Sequence, residues 1–366
     1  MMNVQGKQIT LLQFILLIHG VQIGVGVLTL PRDLAEKAGT DGWIGIILGW
    51  FIATVTSLII IQIMKKHPNG TILDLLTFYF GKWVGKVGGV IMGLYFALLA
   101  LYSFITEAMF IQAWVLPRAS ISLLVILLAI PSYLLVRNNI QIIGRYSVVV
   151  FFMTIWIIFF YMLSLKEAEF LNLLPLLKEG WHPVIKTVKI TIITFVGLEI
   201  TFFLYPYLQK KEYASMGVVI ANTITMFAYL MITLVAFVIF SPDEIAKYNE
   251  PTITILKVIE LKFIERLEIV LFALYIFVMS TKVLPLMFVS VFSTSWLFGK
   301  EEHTKPLFWL LVFSVIFVIL FPPSANISLT WHKELQTLSY FFTYAFPVCL
   351  WGYVLVHGLF KRRSMK

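Results

Sequence analysis

Long apolar segments separated by short polar connections run the whole length of the chain. A membrane-crossing helix needs about 20 mostly apolar residues. Ten segments fit: about 10–35, 43–64, 85–113, 119–136, 146–165, 184–208, 214–240, 266–292, 306–321 and 338–360. The ninth is short and ends at Pro322 and Pro323. The third opens on Gly85, Gly88, Gly89 and Gly93, a composition that suits tilt and close packing.

Two segments carry an interruption. The first includes Gly20-Val21-Gln22-Ile23-Gly24-Val25-Gly26-Val27-Leu28-Thr29-Leu30-Pro31. Glycine is conformationally loose in a helix and proline removes a donor. Backbone groups freed inside a bilayer must find new partners or line a cavity. The helix is therefore expected to break near Gly24–Gly26 and to face a polar site; tight helix packing is the competing reading of the glycines. The sixth segment repeats the arrangement, with Phe195-Val196-Gly197-Leu198-Glu199-Ile200-Thr201 followed by Pro206. Interrupted segments at corresponding places in two halves point to a transporter-type binding site. The pairing divides the chain into five plus five spans, a first repeat over about 10–165 and a second over about 184–360.

Two connections are long. Residues 166–183 read as a short amphipathic segment on the membrane surface. In 241–265, Ser241-Pro242-Asp243-Glu244 is a helix start, and Pro251 opens a second helix with Ile253, Leu256, Ile259 and Phe263 at helical spacing. A lid over an outward-facing cavity and a pair of interfacial helices both fit.

Composition agrees with the pattern. The chain is 60% hydrophobic and 16% aromatic, with mean hydropathy +0.92, so it reads as one integral-membrane domain over 1–366 with no room for a large soluble one. The single cysteine, Cys349, excludes an internal disulfide. Lys7 precedes an apolar run without a small-residue cleavage site, which reads as a retained helix. The net charge of +9 would suggest nucleic acid in a soluble chain. Here its distribution explains it. Lys65, Lys66, Lys82, Lys86, Arg137, Arg145, Lys210, Lys211, Lys300, Lys305 and the Lys361–Lys366 tail fall in alternate connections, while Arg118 and Lys333 stand alone in the short loops opposite. Both termini are then expected to be cytoplasmic, with basic residues against anionic lipid and no nucleic-acid partner.

Three ionisable residues lie deep in apolar segments: Glu107, Glu199 and Lys282. Each costs roughly 2.5–3.5 kcal/mol near a helix centre on insertion scales, so such residues face cavities or partners. A polar cavity lined by spans 1, 3, 6 and 8 is expected, and a structural ion pair between Lys282 and one glutamate is the alternative. His19 reads as a packed, hydrogen-bonded histidine. Freed amides at the start of a half-helix favour a carboxylate and freed carbonyls favour a cation. Gly24, Val25, Gly26 and Val27, with Phe195 through Gly197, could thus hold the two ends of an amino acid. Glu199 and Thr201 follow the second break, and Tyr102, Phe202 and Tyr205 would shape the pocket. No Gly-x-Ser-x-Gly, His-Glu-x-x-His, phosphate loop or Cys/His metal cluster occurs, so neither an enzyme nor a cofactor is expected.

Taken together, Gly24-x-Gly26…Pro31, Phe195-Val196-Gly197-Leu198-Glu199…Pro206 and the span 8 lysine resemble the spore germination B subunit. This is the integral-membrane subunit of GerA-type nutrient germinant receptors, within the amino acid–polyamine–organocation transporters. The resemblance implies an all-α polytopic fold of the leucine-transporter type, about ten transmembrane helices in a 5+5 inverted repeat with helices 1 and 6 broken. It implies a sensor of a nutrient such as an amino acid, placed in the spore inner membrane with A-type and lipoprotein C-type partners. Glu107 would belong to an ion or water path and Glu199 to the pocket. A proton- or cation-coupled amino acid transporter of the same fold is the alternative.

Overall fold

The computed structural model describes residues 7–258, 267–300 and 302–363. It is all-helical among these residues. Six helices are long and apolar enough to cross a membrane, or up to seven if one bent pair forms a single span. Three further apolar helices are shorter, Leu11–Gln22, Ile121–Val136 and Thr304–Leu320.

The first segment is divided as expected. Helix α1 (Leu11–Gln22) starts at a capping box, in which Thr10 Oγ1 accepts from Gln13 N and Gln13 Oε1 accepts from Thr10 N. It stops at Ile23, and α2 (Gly26–Ala38) resumes after Val25. Pro31 lies inside α2 rather than at the break. Proline has no N–H for the carbonyl four residues back. That carbonyl, on Val27, accepts from Thr252 Oγ1 instead, at 3.1 Å.

Helix α3 (Gly42–Met64) and α4 (Ile72–Trp114) follow. α4 is longer than the sequence suggests. It contains one non-helical residue, Gly81 at φ +87°, so the apolar span continues a preceding helical piece. α5 (Ile121–Val136), α6 (Ile140–Thr154) and α7 (Ile157–Leu163) complete the first half. The connection expected to be amphipathic contains short 3-10 turns over Ser164–Glu167 and Phe170–Leu173, with no α-helix before Trp181.

The second interrupted segment comprises α8 (Trp181–Thr194) and, past Gly197 at φ +116°, a 3-10 turn leading to α9 (Thr201–Leu204). The pieces meet at 43°. After α10 (Ala214–Ile239) come the two small helices of the long connection, α11 (Pro242–Ile245) and α12 (Pro251–Val258). Ser241 caps the first by accepting from Glu244 N. Of the expected apolar stripe, Ile253 and Leu256 are buried; Ile259 and Phe263 lie outside the described residues. The chain closes with α13 (Leu267–Leu297), α14 (Thr304–Leu320), α15 (Ala325–Tyr340) and, after a π-turn, α16 (Phe346–Arg363). The last segment was expected from about 338; helix begins at Ala325, because Ser324 caps it by accepting from Ile327 N.

α4 packs along α13, and α1 lies among α6, α10 and α13. Close approach depends on small residues: a Cβ on Gly20 would stand 2.8 Å from Thr281 Oγ1. Ile9, two residues ahead of α1, pairs with the end of the second broken segment. Ile9 N donates to Tyr207 O at 2.8 Å, and Gln209 N donates to Ile9 O at 3.1 Å. Much of the outer surface is apolar, as a lipid-facing wall requires, with Phe51, Trp83, Phe159 and Phe227 exposed.

Candidate ligand site

A cavity of about 140 Å³ lies at the break between α1 and α2. Its wall includes Gln22, Gly24, Val25, Gly26, Thr29, Leu30 and Asp33 from the break and α2, and Tyr102, Ser103 and Thr106 from α4. Ile190, Ile193 and Thr194 at the end of α8, Tyr229 from α10, Met279 and Lys282 from α13, and His332 and Gln336 from α15 complete it.

The break supplies unsatisfied donors. The amides of Gly24, Val25 and Gly26 have no backbone acceptor among the described residues. They stand at the start of α2, where the helix dipole favours an anion. Opposite, the wall contributed by α8 is its C-terminal turn, the end that favours a cation. A Cβ on Gly26 would meet nothing within 4 Å. Gly24 is crowded on one side, since a Cβ there would lie 3.1 Å from Lys282 Cδ and 3.2 Å from its Nζ.

Hydrogen bonds hold the wall in place. Tyr229 Oη donates toward Gln22 O at 2.8 Å and Thr194 O at 3.1 Å, so one hydroxyl bridges the two breaks. Tyr275 Oη donates to Gly24 O at 2.9 Å. Gln22 Nε2 donates to Asn222 Oδ1 at 2.7 Å, Asn222 Nδ2 donates to Ser57 Oγ at 3.0 Å, and Thr225 Oγ1 donates to Gln22 Oε1. His19 Nδ1 meets Thr225 Oγ1 at 2.9 Å, which makes it the packed, bonded histidine expected. Asp33 is held by Thr29 Oγ1 at 2.9 Å and Arg32 Nη2 at 3.0 Å. His332 stacks on Tyr102 with ring centroids 5.7 Å apart.

Of the expected site residues, Gly24, Val25, Gly26, Tyr102 and Lys282 line this cavity. Val27, Phe195, Gly197, Glu199 and Thr201 are not on its wall. Val27 gives its carbonyl to Thr252 of the long connection. Phe195 packs edge-on against Tyr229. Gly197 abuts Val21, where a Cβ would come to 2.5 Å.

The largest departure concerns Glu199, which is only 2% exposed. Its Oε2 accepts from Gly197 N at 2.9 Å and its Oε1 from Tyr95 Oη at 2.8 Å. The carboxylate therefore occupies the freed amide of the second break, where one end of a ligand was expected. Glu107, 1% exposed, is also off the wall, and its Oε1 has no hydrogen-bond partner among the described residues. The three buried charges thus do not converge on one pocket. The alternative ion pair is not formed either, since among the described residues no carboxylate lies within 4.0 Å of Lys282 Nζ.

Sequence reasoning missed Gln22, Asp33, Tyr229, His332 and Gln336. Gln22 was legible as an amide inside an apolar segment. His332 and Gln336 were hidden because α15 was read as a loop; their i, i+4 spacing places them together on one helix face.

A family model described as "Spore germination protein" matches residues 8–326. Spore germination protein A2 of Bacillus subtilis (strain 168) is 28% identical over 322 residues, 86% of this chain and 87% of the relative. Spore germination protein GerQB of Bacillus cereus is 27% identical over 341 residues, 92% of each. Among solved structures, MhsT in complex with L-phenylalanine superposes with TM-score 0.70 at 12% identity, covering 93% of this chain and 87% of that one. A substrate-bound, outward-open Na+-coupled sialic acid symporter gives TM-score 0.68 at 11% identity, covering 92% and 78%. At such identities the likeness is one of fold, here the leucine-transporter-like fold. This integral-membrane chain belongs to the spore germination protein family, in its B-subunit type, and not to an enzyme family.

Proposed function

We propose that the chain senses a nutrient as the membrane subunit of a spore germinant receptor, and that the nutrient is an amino acid bound at the helix 1 break. The observation that carries this reading is the pairing of three unsatisfied amides, Gly24 to Gly26, with the C-terminal turn of α8 across a cavity of about 140 Å³. One end suits a carboxylate and the other an ammonium. The volume is well below the roughly 300–1,000 Å³ of drug-sized sites, in keeping with a small ligand. A protein of the same fold, MhsT, binds L-phenylalanine.

In this reading the chain forms a single membrane domain of ten crossings. These are two inverted five-helix repeats over about 10–165 and 184–360, with helices 1 and 6 broken. It sits in the spore inner membrane, both termini cytoplasmic, beside A-type and C-type subunits. Ligand closes the two breaks on the site, and Tyr229, bonded to both, couples them. The test is binding of labelled amino acids to the purified protein beside Gly26→Leu, which fills the open side of the cavity. Saturable binding of one compound, lost in a Gly26→Leu variant with an unchanged melting midpoint, is expected. Undiminished binding by the variant would move the site elsewhere.

The match to a Na+-coupled symporter favours a second reading, a transporter of the same fold. Sustained uptake into vesicles separates the two. A sensor binds to saturation and stops, whereas a transporter accumulates ligand.

A further inference from the structure

We infer that Lys282 is a resident cation of the ligand site: its ammonium, held against the helix 1 break, pairs with the ligand carboxylate, so that recognition requires no sodium ion. The inference rests on the amino-acid reading above and adds how that site obtains its positive charge. In transporters with broken helices, half-helix C-terminal ends and unwound carbonyls coordinate Na+ or a proton. In this chain that neighbourhood is already occupied. Lys282 Cδ and Nζ lie 3.1 and 3.2 Å from the position a Gly24 Cβ would take, so glycine at 24 is what admits the lysine stem. The side chain lines the cavity.

Lys282 is also uncommitted. No carboxylate among the described residues is within ion-pair distance, and Glu199 and Asp33 are each bonded to other groups, while Glu107 lies off the cavity wall. Glu199, within electrostatic reach of Lys282, is bonded to Gly197 N and Tyr95 Oη. Asp33, on the cavity wall, is bonded to Arg32 and Thr29. His332 lines the same cavity and brings no fixed negative charge. A partly buried ammonium without a protein partner is costly unless a ligand supplies the anion. The adjacent Gly24–Gly26 amides favour the same anion, so a carboxylate there meets donors from two sides.

One other place could take a metal ion. A cavity of about 30 Å³ behind the break is lined by His19, Gly20, Ser147, Thr154 and Thr281. Ser147, Thr154 and Thr281 each donate to a carbonyl of their own helix, at 3.0, 2.7 and 2.6 Å, which leaves their oxygens able to accept. That volume also suits a single water. The two assignments differ in one measurable requirement.

The test compares the full-length purified protein in sodium chloride and in choline chloride at equal ionic strength. It reads both binding of a panel of labelled amino acids and the melting midpoint. Wild type is expected to bind equally well and melt at the same temperature in both media. Lys282→Gln is expected to weaken binding about tenfold or more, as loss of a charge-assisted bond does, while Lys282→Arg keeps it. Tighter wild-type binding or a higher midpoint in sodium would overturn the inference and point to the smaller cavity as an ion site. So would a Lys282→Gln variant that binds like wild type. If the glutamine variant does not fold, the wild-type comparison and the arginine variant still decide. Absence of binding in both media would refute the amino-acid reading itself and the carboxylate role with it, whereas sodium dependence refutes this inference alone.

Discussion

The glycines at the two breaks do different physical work. Gly197 adopts φ +116° and stands against Val21, so a side chain there meets both an unfavourable backbone and a filled space. Gly197→Ala is expected to cost about 1–3 kcal/mol, read as a lower melting midpoint of the purified protein. Gly26 has no positive φ and open space around its Cα, so Gly26→Ala is expected to leave the midpoint unchanged and to alter ligand affinity instead. Glu199→Gln separates capping from binding. The amide side chain has one oxygen in place of two and cannot accept from both Gly197 N and Tyr95 Oη in the same way. A stability loss of about 1–3 kcal/mol is expected, with any affinity change secondary to it. At this scale the sequence showed which residues are unusual for a membrane interior, but not what each one touches. Glu199 and Lys282 both stood out as buried charges. Only the fold shows that one is spent on a neighbouring amide while the other faces an open cavity.

Proline placement links two elements that the sequence leaves far apart. Pro31 cannot donate to Val27 O, and Thr252 of the long connection takes that carbonyl. Arg32 adds Nη1 contacts to Asn249 O at 3.2 Å and Oδ1 at 3.5 Å. The helices α11 and α12 are thereby fastened to α2, the second piece of the first broken span. Thr252→Val removes the buried donor and leaves the carbonyl unpaired, at an expected cost of about 1–3 kcal/mol; it should also increase protease cleavage within 241–250. Arg32→Ala, which breaks exposed contacts, should cost less than about 1 kcal/mol by the same assays. Both breaks and both small helices were legible from glycine, proline and capping residues. The start of α15 was not, because Ala325–Tyr340 is more polar than the other spans and a loop reading suited its hydrophilic residues. That error concealed His332 and Gln336, which complete the cavity wall.

For the whole molecule, hydrophobic patterning was enough to indicate an integral-membrane, all-helical chain, since length and composition of apolar runs are strongly constrained by a bilayer. The architecture itself came from the paired interruptions, a feature of arrangement rather than of composition. Orientation is open to direct test: fluorescent or protease-sensitive tags at either end are expected to report from the cytoplasmic side. Cys349, exposed and the single cysteine, offers a labelling position without further mutation.

The pairing of Ile9 with Tyr207 and Gln209 has a consequence for how such a molecule can evolve. It ties the start of the first broken span to the end of the second through main-chain groups alone. Any residue except proline at position 9 can form both bonds, so this latch is indifferent to side-chain drift. Side-chain changes in the cavity wall can therefore leave this main-chain pairing unaltered. Such a latch need not be rediscovered each time recognition changes.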